Sequence, residues 1–312
     1  MHTLAWFGKQ GRYCLIIGLF VGLAAPAVAE ALKPWIGALV ALLLFVTGIR
    51  VGAKNAFGNL GNLTPALIRV TLFQMGLPLV AIALFGAAGM LNAPLALAVS
   101  LMLAAPSLTG APNFAIMAGH DPAPGMRLLV LSTALFPLTA LPVFVILDPG
   151  GGGVANALSF SFYLLVAILL SVGLGFAVRH VTAGLGKPEA LKALDGCAAL
   201  LLAVVVVGLM SAIGPLLRAD PLALLGWVLV ALGINFCLVV TTLWVSSKAG
   251  FGTPLATAVY SGNRNIALFL IVLPDTAAAP LLIFVGCYQI PMYLTPTLLM
   301  RLKSYAWARD RS

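Results

Sequence analysis

The feature that most constrains this chain is a succession of long apolar stretches separated by short polar segments. Charged residues make up only 8% of the chain, against roughly 25% in soluble domains, so a soluble enzyme or binding domain is excluded. Because a helix needs about 20 apolar residues to cross a bilayer, the sequence predicts an all-α polytopic membrane protein. Ten spans are predicted, at residues 14–29, 34–49, 65–85, 94–118, 126–147, 158–178, 194–217, 222–245, 254–273 and 280–300.

The basic residues of the loops predict the orientation of these spans. One side of the membrane receives only Lys33 and Arg218. The other side receives thirteen basic residues, namely Lys9, Arg12, Arg50, Lys54, Arg127, Arg179, Lys187, Lys192, Lys248, Arg301, Lys303, Arg309 and Arg311. Because positive charge collects in cytoplasmic loops, we expect a cell (inner) membrane protein with both termini in the cytoplasm. The net charge of +9 then belongs to loops beside the lipid bilayer and indicates no nucleic-acid partner.

The first apolar stretch admits two interpretations. Lys9 and Arg12 precede it and Ala27-Val28-Ala29 ends it, which is also the pattern of a cleaved signal peptide. We prefer the interpretation that the stretch is retained as a span, because cleavage would leave nine spans and disrupt the internal repeat of five spans in each half.

The two halves of the chain predict an inverted repeat. Spans two and seven start at 34 and 194, spans four and nine at 94 and 254, and spans five and ten at 126 and 280, so the offset is nearly constant. An odd number of spans in each half places the halves in opposite orientations, which is a common architecture of secondary transporters. The first five-helix repeat is predicted at residues 1–153 and the second at residues 154–312.

Spans four and nine are each predicted to be interrupted near the middle. The interruptions are Pro-Ser-Leu-Thr-Gly-Ala-Pro-Asn at 106–113 and Tyr-Ser-Gly-Asn-Arg-Asn at 260–265. Proline removes a backbone donor and glycine loosens a helix, and backbone groups freed within a membrane need a partner or a wet cavity. Matching interruptions in two repeats indicate a ligand site at the midplane. The alternative is a pair of proline kinks that bind nothing.

Several segments, taken in order and spacing, resemble the bile acid:sodium symporter family over nearly the whole chain. They are Leu32-Lys33-Pro34, Thr47-Gly48-Ile49, the interruption at 106–113, Ser132-Thr133 with Pro137 and Pro142, and the interruption at 262–265. The resemblance implies a core and a panel subdomain formed by both repeats, with the broken helices crossing in the core. It also implies alternating access and symport of an organic anion, often with sodium, and no other cofactor.

The departures from the family pattern concern the ion site. The family sequence Glu-x-Gly-x-Gln-Asn is Tyr260-Ser261-Gly262-Asn263-Arg264-Asn265 in this chain, so the glutamate and the glutamine are both replaced. A family glutamine would fall on Phe73, one position before Gln74, and Leu129 stands where the family tends to carry a hydroxyl. The interruption in span four is also one residue longer than in the family.

These comparisons give two sets of candidate residues. The substrate-binding candidates are Arg264, Asn113, Asn265, Asn263, Thr109 and Tyr260. The sodium-binding candidates, for an ion whose coupling the replacements put in question, are Asn113, Ser132, Thr133 and Gln74. Other polar groups that could line a cavity are Thr139, Asn235, Gln289 and Thr295.

Arg264 lies in the middle of a predicted span, where burying a charge costs at least about 2.5–3.5 kcal/mol. Three interpretations are open. Arg264 binds an anionic substrate, it is a tethered substitute for the sodium ion held by half-helix carbonyls and Asn113, or it is a purely structural contact. The first two predict transport that depends less on sodium than in the family, as in a sodium-independent or proton-linked exporter or uniporter of organic anions.

Other functional classes are disfavoured by what the spans lack. The only acidic residue in a predicted span is Asp195, at the very start of span seven, no nucleophile–base pair appears, and the loops are too short for a soluble domain. An intramembrane enzyme or a channel is therefore a remote alternative, and no catalytic residue is predicted.

The four cysteines are too widely spaced to suggest a metal site or a disulfide framework. They are Cys14, Cys197, Cys237 and Cys287.

Overall fold

The computed structural model describes residues 2–57, 63–117, 120–249 and 253–309, nearly all of them in helices. The first ten helices are α1 (His2–Lys9), α2 (Gly11–Ala24), α3 (Pro26–Leu32), α4 (Ile36–Val51), α5 (Ala53–Phe57), α6 (Thr64–Thr71), α7 (Leu77–Ala87), α8 (Pro94–Ala104), α9 (Ala111–Met117) and α10 (Ala123–Leu147). The remaining helices are α11 (Gly153–Val181), α12 (Pro188–Ala219), α13 (Pro221–Lys248), α14 (Pro254–Gly262) and α15 (Asp275–Arg309). Some predicted features lie outside the described residues, namely Arg311, the end of span four, and the side chains of Lys9, Arg12, Asn113, Arg301, Lys303 and Arg309.

Seven helical segments within these ranges are long and apolar enough to cross a membrane. They are Pro26–Val51, Thr64–Ala87, Ala123–Leu147, Gly153–Val181, Pro188–Ala219, Pro221–Lys248 and Asp275–Leu299. Two shorter apolar helices are Tyr13–Ala24 and Pro94–Ala104. The predicted all-α, multi-pass membrane class is confirmed at this level, while the count of ten spans and the repeat stay predictions.

The boundary between the first two predicted spans is wrong. The chain bends at Ala25 (φ −123°, ψ 72°), and Pro26 then begins α3. From there a 3-10 turn at Lys33–Trp35 leads into α4, with helical backbone angles on either side. Proline is tolerated in the first turn of a helix, so Pro26 and Pro34 start helical segments, and the predicted loop before residue 34 is absent.

Both predicted interruptions are present as helix ends, but they are shorter than the sequence suggested. Helix α8 ends at Ala104 and α9 begins at Ala111, with Pro112 in its first turn, where a proline needs no backbone donor. Helix α14 continues to Gly262 and a 3-10 helix follows at Ile266–Ile271. The non-helical segments are therefore 105–110 and 263–265, rather than 106–113 and 260–265.

A third irregularity lies between α6 and α7, where residues Leu72–Gly76 form a turn of π-helix. A π-helical turn holds an extra residue relative to an α-helix and leaves its carbonyls less regularly paired. This turn contains Phe73 and Gln74, where the chain departs from the family pattern by one position, and an inserted residue is a structural reason for such an offset.

Aromatic packing holds the segment after the second interruption against α10. Phe269 lies edge-on to Phe136 and Phe144, with ring centroids 4.9 and 5.5 Å apart, and all three side chains are fully buried. Such edge-to-face pairs contribute about 0.5–1.5 kcal/mol beyond burial alone. These contacts fix the position of residues 266–271 and thereby of the segment at 263–265.

Candidate functional site

The two interrupted segments meet and pair through their backbones. Ser107 and Arg264 form an isolated antiparallel bridge. The N–H of Leu108 donates to the carbonyl of Asn263 at 2.9 Å, and the N–H of Asn265 donates to the carbonyl of Pro106 at 2.8 Å. Because freed backbone groups are costly in an apolar interior, each segment supplies the partners that the other lost when its helix ended.

Arg264 lies at the centre of this crossing and is fully buried. Each nitrogen of its guanidinium group donates to a backbone carbonyl: Nε to Ser261 at 3.0 Å, Nη1 to Ala105 at 2.9 Å and Nη2 to Phe73 at 3.1 Å. Hydrogen bonds from charged groups contribute about 1.5–3 kcal/mol each, so these three bonds can offset the cost of burying the charge.

The three acceptors are available because the backbone is irregular at each of them. Ala105 caps the C-terminal end of α8, and Ser261 lies in the last turn of α14. The last carbonyls of a helix have no partner within it and carry the negative end of the helix dipole. Phe73 lies in the π-helical turn. Two helix ends and one π turn therefore direct partial negative charge at one guanidinium.

Tyr260 stacks on the guanidinium and connects it to further polar groups. Its ring centroid is 4.4 Å from Cζ of Arg264, within the range of a cation–π interaction. Its hydroxyl donates to Oε1 of Gln74 at 3.1 Å, and Nε2 of Gln74 donates to the carbonyl of Ser132 at 3.1 Å. The hydroxyl of Ser132 accepts from the N–H of Ser107 at 3.1 Å. The candidates Arg264, Tyr260, Gln74 and Ser132 thus belong to one network.

The asparagines of the second interruption have different surroundings. Asn263 is fully buried, its Nδ2 donates to the carbonyl of Val259 at 3.2 Å, and its Oδ1 has no partner within the described part of the chain. The hydroxyl of Ser107 is likewise buried and unpartnered there. Asn265 is 8% exposed and lines a cavity of about 20 Å³ together with Arg264 and Gln289. Such a cavity has room for about one water molecule.

Two of the predicted site residues do not join the network. Thr109 lies half-buried in the turn before α9, and Thr133 is half-buried on α10 beside Ser132. Neither side chain is hydrogen-bonded to Arg264 or its partners in the part of the chain that the structure describes. Asn113 lies in α9, but its side chain is outside the described residues.

A second group of side chains holds the end of α14 from the opposite side. The carbonyl of Gly262 accepts from Nδ2 of Asn235 at 2.5 Å and from the hydroxyl of Tyr288 at 2.6 Å. Oδ1 of Asn235 in turn accepts from the hydroxyl of Thr295 at 3.0 Å. Asn235 and Thr295 were noted only as polar groups within spans, whereas the role of Tyr288 had no sequence signal, because an apolar helix often carries a tyrosine.

The site is made of neutral oxygens and one fixed cation. No carboxylate is among the hydrogen-bond partners of Arg264, and no group of three or more metal-ligating side chains occurs among the described residues. Chemically, such a site can hold a permanent positive charge at a helix crossing.

No protein-family model matches this sequence, and no curated protein is significantly similar to it.

Proposed function

We propose that this protein is a secondary transporter of a small organic anion, working by alternating access in a fold like that of the bile acid:sodium symporters. The observation that carries the proposal is the meeting of two interrupted helices at a buried polar site, which is a recurrent design of transporter binding sites. The proposal includes ten spans in two inverted repeats, residues 1–153 and 154–312, and cytoplasmic termini in agreement with the loop charges.

We further propose that Arg264 takes the place of the coupling cation. Carbonyl oxygens at helix ends are the ligands that transporters use for sodium, and here three carbonyls are occupied by guanidinium nitrogens. Since arginine stays charged at all physiological pH values, the site is permanently filled by a cation. Transport of the anion then needs no sodium at this position, in contrast to the family expectation.

The alternative role of Arg264, direct bidentate binding of the anion, is less favoured by this arrangement. An arginine that binds a carboxylate presents two N–H groups to it side by side. Arg264 is fully buried, its three nitrogens are already engaged, and the adjoining cavity holds about one water molecule. Two of its five N–H groups donate to no carbonyl of the described residues, but a cavity of this size does not admit a carboxylate, so direct binding would require the site to open. Asn265 and Gln289 line the same cavity and are also placed to meet a ligand that enters it.

The test is transport by purified protein in liposomes. A thermal-shift screen of organic acids, with sodium and with choline as the cation, selects the substrate, because a ligand of the folded state raises the melting temperature. We expect uptake of the selected acid at the same rate from sodium and from choline medium. Uptake that strictly requires a sodium gradient, with saturable sodium binding, would overturn the assignment of Arg264.

Variants of Arg264 sharpen this test. Arg264→Gln vacates three carbonyls, and we expect its remaining transport to become stimulated by sodium. Arg264→Lys keeps the charge, and its transport should stay independent of sodium. If Arg264→Gln folds poorly, the sodium dependence of Arg264→Lys still tests whether the charge replaces the ion. Arg218→Gln changes the same charge at an exposed position at the end of α12 and is the matched control.

A further inference from the structure

A second cavity lies away from the helix crossing, between α5, the start of α6 and the first turns of α10. Its volume is about 420 Å³, which is within the range of small-molecule binding sites. Two cationic side chains and an amide line it, namely Lys54, Arg127 and Asn55. Met126, Val130 and Leu131 add an apolar surface to the same lining, next to Arg127 on α10. We call this cavity the basic vestibule.

The basic vestibule contains positive charge without a matching negative charge. No aspartate or glutamate is among the described residues that line it. Asp121 lies just before α10, but it is exposed and its Oδ1 accepts from the N–H of Ala123 at 2.9 Å. The vestibule also lies at the N-terminal end of a 25-residue helix, where the helix dipole is positive.

Arg127 is the residue that most clearly indicates a missing ligand. Its Nε is buried and has no hydrogen-bond partner within the described residues. A buried donor without a partner destabilises a folded protein, and such groups are rare in native proteins. Two other arginines on the same predicted side of the membrane are engaged. Arg50 is ion-paired with Asp195, and Arg179 donates to the carbonyl of Ile49 at 2.8 Å.

A third cation adds to the positive potential of this region. Arg69 lies close enough to Arg127 for their like charges to repel. Its Nη1 donates to the hydroxyl of Thr253 at 2.7 Å. Two positive charges close together repel each other. An anion bound near Arg69 and Arg127 would reduce this repulsion.

We propose that the basic vestibule binds an amphipathic organic anion, with its anionic group between Lys54 and Arg127 and its apolar body against Met126, Val130 and Leu131. This ligand has both an anionic and an apolar part because basic and apolar side chains line the same cavity. That the bound anion is the one transported rests on the proposed function, whereas binding itself does not.

The experiment measures equilibrium binding to the full chain, purified in a neutral maltoside detergent. The probe is naphthalene-2-carboxylate, a fluorescent aromatic acid, and the uncharged naphthalene-2-carboxamide is its control of equal shape. We expect saturable binding of the carboxylate and at least about tenfold weaker binding of the amide, because charge-assisted hydrogen bonds account for differences of this size. Equal binding of acid and amide would overturn the proposal, as would absence of saturable binding of any anion tested.

Charge variants locate the site. Lys54→Gln and Arg127→Gln should each weaken carboxylate binding by about tenfold, whereas Arg127→Lys should retain most of it. Lys187→Gln removes an equivalent charge from an exposed position outside the vestibule and should bind like the original protein. Unchanged binding by both glutamine variants would contradict the proposal, and the lysine variant excludes a folding defect as the cause of a loss.

A second arm identifies the source of the anion. The same chemistry is offered by a free organic acid and by an anionic lipid, so binding is repeated in nanodiscs of phosphatidylcholine with and without phosphatidylglycerol. Displacement of the carboxylate by phosphatidylglycerol assigns the vestibule to a lipid headgroup, and no displacement assigns it to a soluble anion. Either outcome supports an anion site at Lys54 and Arg127 when the charge variants abolish binding.

The failures of the two proposals are distinguishable. If naphthalene-2-carboxylate binds at Lys54 and Arg127 but liposomes show no transport of any acid, the vestibule stands and the proposed function fails. If sodium-independent transport occurs but the vestibule variants bind and transport normally, the proposed function stands and the vestibule fails.

Discussion

Two arginines inside this protein have opposite surroundings. Arg264 is fully buried and donates to three carbonyls, while a half-buried Arg127 leaves its Nε without a partner among the described residues. The difference comes from the backbone nearby. Arg264 is surrounded by two helix ends and a π-helical turn, whose carbonyls are free to accept. Arg127 lies in the second turn of α10, where the neighbouring backbone carbonyls accept hydrogen bonds within the helix.

The comparison separates a cation that completes a fold from a cation that is available to a ligand. A buried charge whose nitrogens all donate to backbone carbonyls stabilises one arrangement of the helices around it, and it has fewer N–H groups to offer a solute. A donor that is buried and unsatisfied costs free energy in the empty protein, and an anion can recover that free energy on binding. The following predictions test this division, starting from the largest effect.

Removing the charge of Arg264 should have the largest effect on stability. Arg264→Met keeps much of the side-chain volume but leaves three buried carbonyls without donors. Breaking one partner of a buried charged interaction typically costs about 3–5 kcal/mol, so we expect a clear drop in the melting temperature in detergent. The measurement is thermal unfolding followed by intrinsic fluorescence.

Arg264→Lys is the companion variant. It retains the charge but cannot reach three carbonyls in a planar fork, so its melting temperature should fall between those of Arg264→Met and the original protein. A methionine variant as stable as the original protein would show that these carbonyls do not depend on Arg264.

The second largest effect on stability is expected at Gly262, the last residue of α14. A Cβ added to Gly262 would collide with Val239 and would stand 3.0 Å from the carbonyl oxygen of Asn235. Overpacking of this kind costs about 1–3 kcal/mol, and it would push α14 away from α13. We therefore expect Gly262→Ala to lower the melting temperature, though by less than Arg264→Met.

Gly226→Ala on α13 is the control for this variant, since nothing lies within 4 Å of the added Cβ. It should leave stability unchanged or raise it, because alanine favours a helix over glycine. Equal melting temperatures for the two alanine variants would indicate that the packing at Gly262 is loose, and the buried position of Arg264 would then need another cause.

The features of the Arg264 site that depend on residue type could be predicted from the sequence. An arginine within an apolar span, and proline-, glycine- and asparagine-rich interruptions in two spans, can be read without a structure because each violates the pattern of a membrane helix. The two interruptions also led to the correct expectation that helices α8 and α14 end at these positions.

The partners of Arg264 could not be predicted, because they are backbone atoms. The carbonyl of Phe73 is available through a π-helical turn, and the sequence Leu-Phe-Gln-Met-Gly has no residue that distinguishes such a turn from an α-helix. The length of the first interruption was overestimated for a related reason. Pro112 was taken as a helix breaker, but in the first turn of α9 it is compatible with the helix.

The smallest expected effect, and the one of opposite sign, belongs to Arg127. If its guanidinium is kept for a ligand, then Arg127→Gln removes an unsatisfied buried donor and a like charge near Arg69 without breaking any bond recorded for that donor. The melting temperature of the unliganded protein should therefore not fall, and the free energy of unfolding should rise by up to about 1 kcal/mol. Functional residues often lower stability in this way, so that their replacement stabilises the empty protein. A fall of more than about 1 kcal/mol in the free energy of unfolding would assign Arg127 to the same structural class as Arg264.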